Sequence, residues 1–369
     1  MKKLMLLFQK DAVCTVSLLL AVVSAFFVAP GKEYITYIDF RVLAILFCLM
    51  TVVGKTKKLG VFNQLSFMVA KRSQNRRTLS FFLVMLCFFS SMLITNDVAL
   101  ITFVPFAITV LGTKRNKELI FVIVMQTIAA NLGSMMTPVG NPQNLYLYSY
   151  YDFSAKDFFL LMLPTVVFSF LLIAACMIFV KKGTLEPVLQ EQNLSHGSKK
   201  EYLLTGLAFL LCLFSVFRFL PWQALLCLIL FWIFLFDRRL LFSVDYHLLL
   251  TFVGFFIFVG NLGRMEFFHQ LLAQFITGRE YLCAVLTSQV FSNVPTAVLL
   301  SGFTAEGKAL LLGTNVGGLG SLIASMASLI SWKLYQNTSL ADMKTYFCVF
   351  TLFNVLFLFL LFPFASFCI

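Results

Sequence analysis

Charge is what this sequence has least of. Asp, Glu, Lys and Arg make up 12% of its 369 residues, and only three histidines accompany them. A soluble domain draws on roughly twice that charged fraction. With 60% hydrophobic residues and a mean hydropathy of +0.93, the chain reads instead as one solvated by lipid. Metal and redox motifs are missing too. The nine cysteines (14, 48, 87, 176, 212, 227, 283, 348, 368) lie scattered through apolar runs without C-x-x-C spacing, which argues against a zinc site and a disulfide framework. His196 falls in a polar loop and His247 and His269 flank an apolar run, so no metal-ligand set forms. There is no G-x-x-x-x-G-K-[ST] loop, so energy must come from an ion gradient or a separate energising subunit. An intramembrane protease would need a Ser-His pair, an Asp-Asp pair or an H-E-x-x-H helix, and none is present.

What the chain does have is a series of long apolar stretches, uncharged but for Asp39 and Arg41 in the second and mostly near the roughly 17–25 residues that a helix needs to cross a bilayer. They cover 12–31, 35–54, 119–151, 158–180, 202–217, 219–236, 246–263, 309–332 and 345–369. The first follows Lys2, Lys3 and Lys10 and ends in small residues, as a signal peptide does; its length and the spans after it favour an uncleaved helix. Two further regions behave differently. Residues 78–113 are bracketed by Lys71, Arg72, Arg76 and Arg77 before and Lys114, Arg115 and Lys117 after, so both ends belong on one side of the membrane. A turn where Ser90, Ser91, Thr95, Asn96 and Asp97 interrupt the run makes this a helical hairpin. Residues 281–305 are too few for two full spans and are broken by Ser292-Asn293-Val294-Pro295-Thr296, which predicts a re-entrant hairpin.

The expected fold is an all-α polytopic membrane protein of about nine crossings plus two hairpins. The net charge of +12 then reports orientation rather than nucleic-acid binding. In this topology Lys32, Arg41, Lys156, Arg218, Arg264, Arg279 and Lys308 face one side, and the other 21 of the 28 basic residues face the opposite one. The positive-inside rule puts the N-terminus in the cytoplasm and the C-terminus outside, in a multi-pass cell-membrane protein.

The polar stretch 181–200 divides the chain. Before it the order is span, span, short amphipathic segment (about 58–72), hairpin, long span, span; after a helix at 202–217 the same order recurs, with its amphipathic segment at about 264–277. The expected organisation is a first repeat over 1–180, a linker and connecting helix over 181–218, and a second repeat over 219–369. Four crossings per repeat plus one connecting helix start the second copy on the other side, so the repeats are inverted. The segment from Asn131 to Asn141, NLGSMMTPVGN, also aligns without gaps on Asn315 to Ser325, NVGGLGSLIAS. Paired Gly/Pro-interrupted spans in inverted halves point to a transporter site near the midplane.

Gly133, Pro138, Gly140 and Pro142 fall in a 33-residue uncharged run, which predicts two half-helices joined by unwound chain whose carbonyls can face an ion. Asn131, Thr137, Gly140, Asn141, Gln143 and Asn144 supply polar groups there, and Thr314, Asn315, Ser321, Ser325 and Ser328 do so in the second copy. The plainer alternative is that such small residues only allow close helix packing. Thr95, Asn96 and Asp97 at one hairpin tip, and Ser292, Asn293 and Thr296 at the other, are polar clusters in apolar surroundings, where unsatisfied groups are costly. Asp97 is far in sequence from any other charge, so its carboxylate needs a cation, a proton or a buried partner; a helix-capping role is the alternative. Exposed half-helix N-termini suit an anion.

These motifs together resemble the ion-transporter superfamily of citrate-transporter-like permeases, divalent anion/sodium symporters, arsenite/antimonite permeases and NhaD-type sodium/proton antiporters. Thr95-Asn96-Asp97, the 131–144 break, Ser292-Asn293-Val294-Pro295 and Asn315-Val-Gly-Gly318 are most similar to the arsenite-permease and antiporter branch. In the dicarboxylate symporters both tips read Ser-Asn-Thr, and here neither does. The resemblance implies Na+ sites at Asn96 with Gly140 and at Asn293 with Ala324, two copies per assembly, and elevator-like movement. The function expected is transport of a small anion or oxyacid coupled to Na+ or H+, with Na+/H+ exchange and arsenite efflux as the alternatives. Neither nucleic acid nor an organic cofactor enters this reading.

Overall fold

A computed structural model describes residues 12–112, 116–184 and 197–369. His196, the lysines at 2, 3 and 10, most of the polar linker and part of the basic loop after the first hairpin lie outside the described residues. Among those described, all regular structure is helical.

The first half runs α1 (Ala12–Ala25), the short α2 (Glu33–Tyr37), α3 (Phe40–Lys58), α4 (Val61–Arg72), the hairpin α5 (Arg76–Ile94) and α6 (Asn96–Leu111), the broken pair α7 (Asn116–Ser134) and α8 (Pro142–Tyr150), and α9 (Ala155–Met177). Helix α10 (Lys199–Val216) follows. The second half runs α11 (Trp222–Phe236), α12 (Tyr246–Arg264), α13 (Glu266–Ile276), the hairpin α14 (Glu280–Phe291) and α15 (Asn293–Ser301), the broken pair α16 (Gly307–Val316) and α17 (Met326–Gln336), and α18 (Met343–Ser366). Apart from α2 and a short 3-10 turn at Arg238–Ser243, the order of elements repeats on either side of α10. Among the described residues four helices are long and apolar enough to span a bilayer alone: α5, α9, α12 and α18. Others predicted as single crossings are shorter or split in two. The span expected at 35–54 is displaced: Asp39 caps the helix by accepting from the Val42 N–H (3.0 Å), so α3 starts at Phe40 and runs on through Lys55, Lys57 and Lys58.

Helix α7 is the central post, with nearly every side chain from Leu119 to Ala130 buried. Both arms of the first hairpin lie against it, because Gln126 of α7 donates to the Leu83 carbonyl of α5 (3.5 Å) and the Phe103 carbonyl of α6 (3.3 Å). At Gly133 any β-carbon would overlap the Phe88 carbonyl, so glycine here permits backbone contact between α5 and α7. Across the two halves α6 packs on α17 and α15 on α8. Each hairpin therefore leans on the other half's second half-helix, and this crossing of elements builds the centre of the molecule.

Candidate functional site

Each hairpin turns on a single residue. Thr95 (φ 72°, ψ 148°) and Ser292 (φ 71°, ψ 157°) occupy a region of backbone space that side chains disfavour. The first turn is thus narrower than the sequence suggested, and Ser90 and Ser91 sit inside α5 rather than in the turn. After each tip comes an asparagine with the same bonds. The Asn96 N–H donates to the Gly140 carbonyl (3.1 Å) and its side-chain oxygen accepts from the Asp97 N–H (2.9 Å). The Asn293 N–H donates to the Ala324 carbonyl (2.9 Å) and its side-chain oxygen accepts from the Val294 N–H (2.9 Å). Three residues before each tip the parallel continues. Thr137 donates its hydroxyl to the Met92 carbonyl, and Ser321 donates its own to the Gln289 carbonyl (2.9 Å). Each tip is therefore stitched to the break of its own half, which brings Asn96 to Gly140 and Asn293 to Ala324.

The two breaks then meet through side chains. Asn141 donates to the Asn315 side-chain oxygen (3.1 Å), and reciprocally Ser325 donates to that of Asn131 (3.0 Å). In the gap-free alignment Asn141 pairs with Ser325 and Asn131 with Asn315, so the contact is its own mirror. Asn96 adds a second donor to the Asn131 oxygen (3.1 Å), and Asn315 donates to the Asn144 oxygen (2.6 Å). All of these side chains are buried. Four helix N-termini, those of α6, α8, α15 and α17, converge here with the C-terminal ends of α5, α7, α14 and α16. Donors that suit an anion and carbonyls that suit a cation are thereby held in one place.

Some expected ligands have other duties. Asn144 donates to the carbonyls of Ser134 (3.4 Å), Met135 (3.2 Å) and Thr137 (3.1 Å), so carbonyls expected to face an ion are bound by an amide of their own chain. This follows from burial, because an unwound segment must satisfy its backbone locally. Thr314 bonds back to Leu310 of its own helix (2.8 Å) and Ser321 is held at the second hairpin. Thr296 is fully buried, with no partner for its hydroxyl among the described residues.

Gln289 was missed by sequence reasoning. It donates to the Gly317 (2.8 Å) and Leu319 (2.9 Å) carbonyls and accepts from the Ser321 N–H (2.9 Å), doing for the second break what Asn144 does for the first. A lone amide in the apolar arm 280–291 was its signal. Ser134, which accepts from the Asn141 amide (3.1 Å), was also passed over.

A cavity of about 600 Å³ runs from this centre to the surface. Thr95, Asp97 and Asn141 line its inner end, and Lys57, Lys58 and Asp245 its outer part. Both lysines are exposed. One carboxylate oxygen of Asp97 is buried without a hydrogen-bond partner among the described residues. The sequence reading used these lysines only to orient the chain, whereas the fold makes them part of the approach to the site.

Comparison with known proteins places the chain in a family. An uncharacterized transporter of Methanocaldococcus jannaschii is 32% identical over 82% of this chain and 83% of its own length. An inner membrane protein of Escherichia coli is 30% identical over 88% of both chains. A silicon efflux transporter of Oryza sativa is 32% identical over 38% of this chain and 29% of its own length. The family model described as citrate transporter matches residues 4–316, and on that match and the first two relatives this polytopic membrane protein belongs to the citrate transporter family.

Proposed function

We propose that the protein is a secondary transporter that moves a small anion, an inorganic oxyanion or a carboxylate, across the cytoplasmic membrane with Na+ or H+ as the coupling ion. The observation that carries this reading is the recurrence of one junction in both halves: a strained tip, the following asparagine bonded to the break, and reciprocal side-chain bonds between the breaks. A merely packed bundle has no use for two such junctions at its centre. The four converging helix N-termini favour an anion and the Asp97 carboxylate favours a coupling cation; at the cavity's outer end Lys58 pairs with Asp237 (3.5 Å), which leaves Lys57 beside Asp245. The silicon efflux activity in the name of the rice relative adds oxyacids to the substrates worth testing.

With the N-terminus in the cytoplasm and the C-terminus outside, as the basic residues suggest, the cavity opens inward and the molecule is in its cytoplasm-facing state. The two halves are then inverted repeats that exchange roles as the site turns outward. A second reading, Na+/H+ exchange without an anion, is favoured by one observation, the unpartnered carboxylate oxygen of Asp97 at the cavity's inner end.

Flux in proteoliposomes separates the two. Arsenite, citrate, succinate and sulfate are offered in turn while Na+ and H+ movement is followed, with Asp97→Asn in parallel. Anion-driven ion flux that Asp97→Asn abolishes is the expected result. Proton movement driven by Na+ alone, indifferent to all four anions, would replace anion transport with antiport.

A further inference from the structure

The reciprocal junction is complete on one side and incomplete on the other. On the complete side Asn315 accepts from Asn141 (3.1 Å) and donates to the Asn144 oxygen (2.6 Å). On the other side Asn131 accepts from Ser325 (3.0 Å), but the partner that corresponds to Asn144 in the gap-free alignment is Ser328. A serine is too short to repeat the bond. Its hydroxyl and the Asn131 amide nitrogen are both without a hydrogen-bond partner among the described residues. Asn131 is 4% exposed and Ser328 0%. These two unpartnered polar groups, buried at one junction, leave an amide donor and a hydroxyl for a ligand or a buried water to meet.

The second half can spare the longer side chain at this position. Asn144 has two tasks, meeting Asn315 and holding the carbonyls of its own break, and in the second half Gln289 has taken over the holding. Ser328 is thereby free of any structural duty that an amide would fill. The Asn131 side chain is also fixed in orientation. Its oxygen accepts from both Asn96 and Ser325, so its nitrogen faces the remaining direction as a donor. An amide N–H repels a cation and requires an acceptor. Access is short, since Thr95, Asp97 and Met326 line the cavity and are the chain neighbours of Asn96 and Ser325, which bond Asn131.

Resting on the anion-transport reading, we propose that Asn131 and Ser328 form the innermost substrate subsite, in which an oxygen of an oxyanion, carboxylate or oxyacid accepts from the Asn131 amide and meets the Ser328 hydroxyl. The two halves are then unequal in use. The Asn141–Asn144–Asn315 side is a structural clasp, and the Asn131–Ser328 side takes the substrate.

The test is Ser328→Asn, which supplies the missing carboxamide and completes the second clasp. Uptake into proteoliposomes is measured with arsenite, citrate, succinate and sulfate, alongside the thermal midpoint in detergent. The expected result is a thermal midpoint equal to or above that of the wild type, together with at least a tenfold rise in half-saturating concentration for whichever probe the wild type carries, the factor that corresponds to one lost hydrogen bond to a buried group. Should Ser328→Asn lower the thermal midpoint, Ser328→Ala serves instead, with a rise of about fivefold expected from the milder loss. If the wild type carries a probe and both variants keep its half-saturation within twofold, Asn131 and Ser328 share only a buried water and the subsite is overturned while anion transport stands. If the wild type carries none of the four and moves only Na+ and H+, the transport reading falls and the subsite with it.

Discussion

Removing the Asn141 side chain tests whether the two junctions differ as their bonds indicate. Asn141 is the cap of α8, accepting from the Asn144 N–H (2.9 Å), and loss of such a cap costs about 1 kcal/mol. Asn141→Ala also takes from the buried Asn315 oxygen its one donor among the described residues, which adds about 1–3 kcal/mol. The sum is about 2–4 kcal/mol. Ser325→Ala at the mirrored position also removes a cap, to the Ala327 N–H (3.3 Å), and one bond to Asn131. The Asn131 oxygen keeps its bond from Asn96, however, so no acceptor is stranded and the cost stays near 1 kcal/mol. Equilibrium unfolding of both variants in mixed micelles with SDS would show the order, with Asn141→Ala losing at least twice what Ser325→Ala loses. Equal losses, or the reverse order, would refute the assignment of the first junction as the clasp.

Two further expectations concern the backbone. Gly140→Ala would drive a β-carbon into the Ser134 backbone and displace the carbonyl that receives the Asn96 N–H; we expect loss of transport and a lowered thermal midpoint, whereas Gly206→Ala, where a β-carbon meets nothing within 4 Å, should leave both unchanged. Thr95→Gly relieves a residue held at φ 72° and should stabilise the protein by about 1 kcal/mol in the same unfolding assay while slowing transport, whereas Ser292→Gly, at φ 71°, also loses the hydroxyl's bond to the Ala324 carbonyl (3.4 Å) and should gain less. A loss of stability in both glycine variants would mean that the tips carry no strain.

The architecture was legible in the sequence because lipid enforces simple rules. Uncharged runs marked the helices, and the Gly/Pro-rich 131–144 segment marked the break that separates α7 from α8. Both tip asparagines and the facing breaks were named from residue type alone. What stayed hidden was the division of labour among amides. Asn144 and Gln289 both staple unwound carbonyls, but one sits in the break and the other in the opposing hairpin arm, and nothing local in the sequence tells a staple from a ligand. Helix boundaries moved for a similar reason. The capping bond at Asp39, which starts α3 at Phe40, outweighs the hydrophobic run that begins earlier.

The unequal halves follow from one constraint. A site formed by two mirrored breaks must satisfy two sets of unwound carbonyls inside lipid, where each missed bond is expensive. Had both halves used an asparagine at the Asn144 position, both junctions would be closed clasps, with Asn131 and Asn315 fully spent on protein partners. Moving the staple to Gln289 satisfies the second break from the hairpin and leaves the Asn131 nitrogen uncommitted. The tips diverge in the same sense, since Asp97 follows the first tip asparagine and Val294 the second. The unpartnered amide and the unpartnered carboxylate oxygen therefore belong to the same half, on either side of Asn96. On the transport reading proposed above, a donor and an acceptor flanking Asn96 would meet an anion and its coupling cation together, with Ser328 contributed by the other half and the Asn141–Asn144–Asn315 clasp holding the frame.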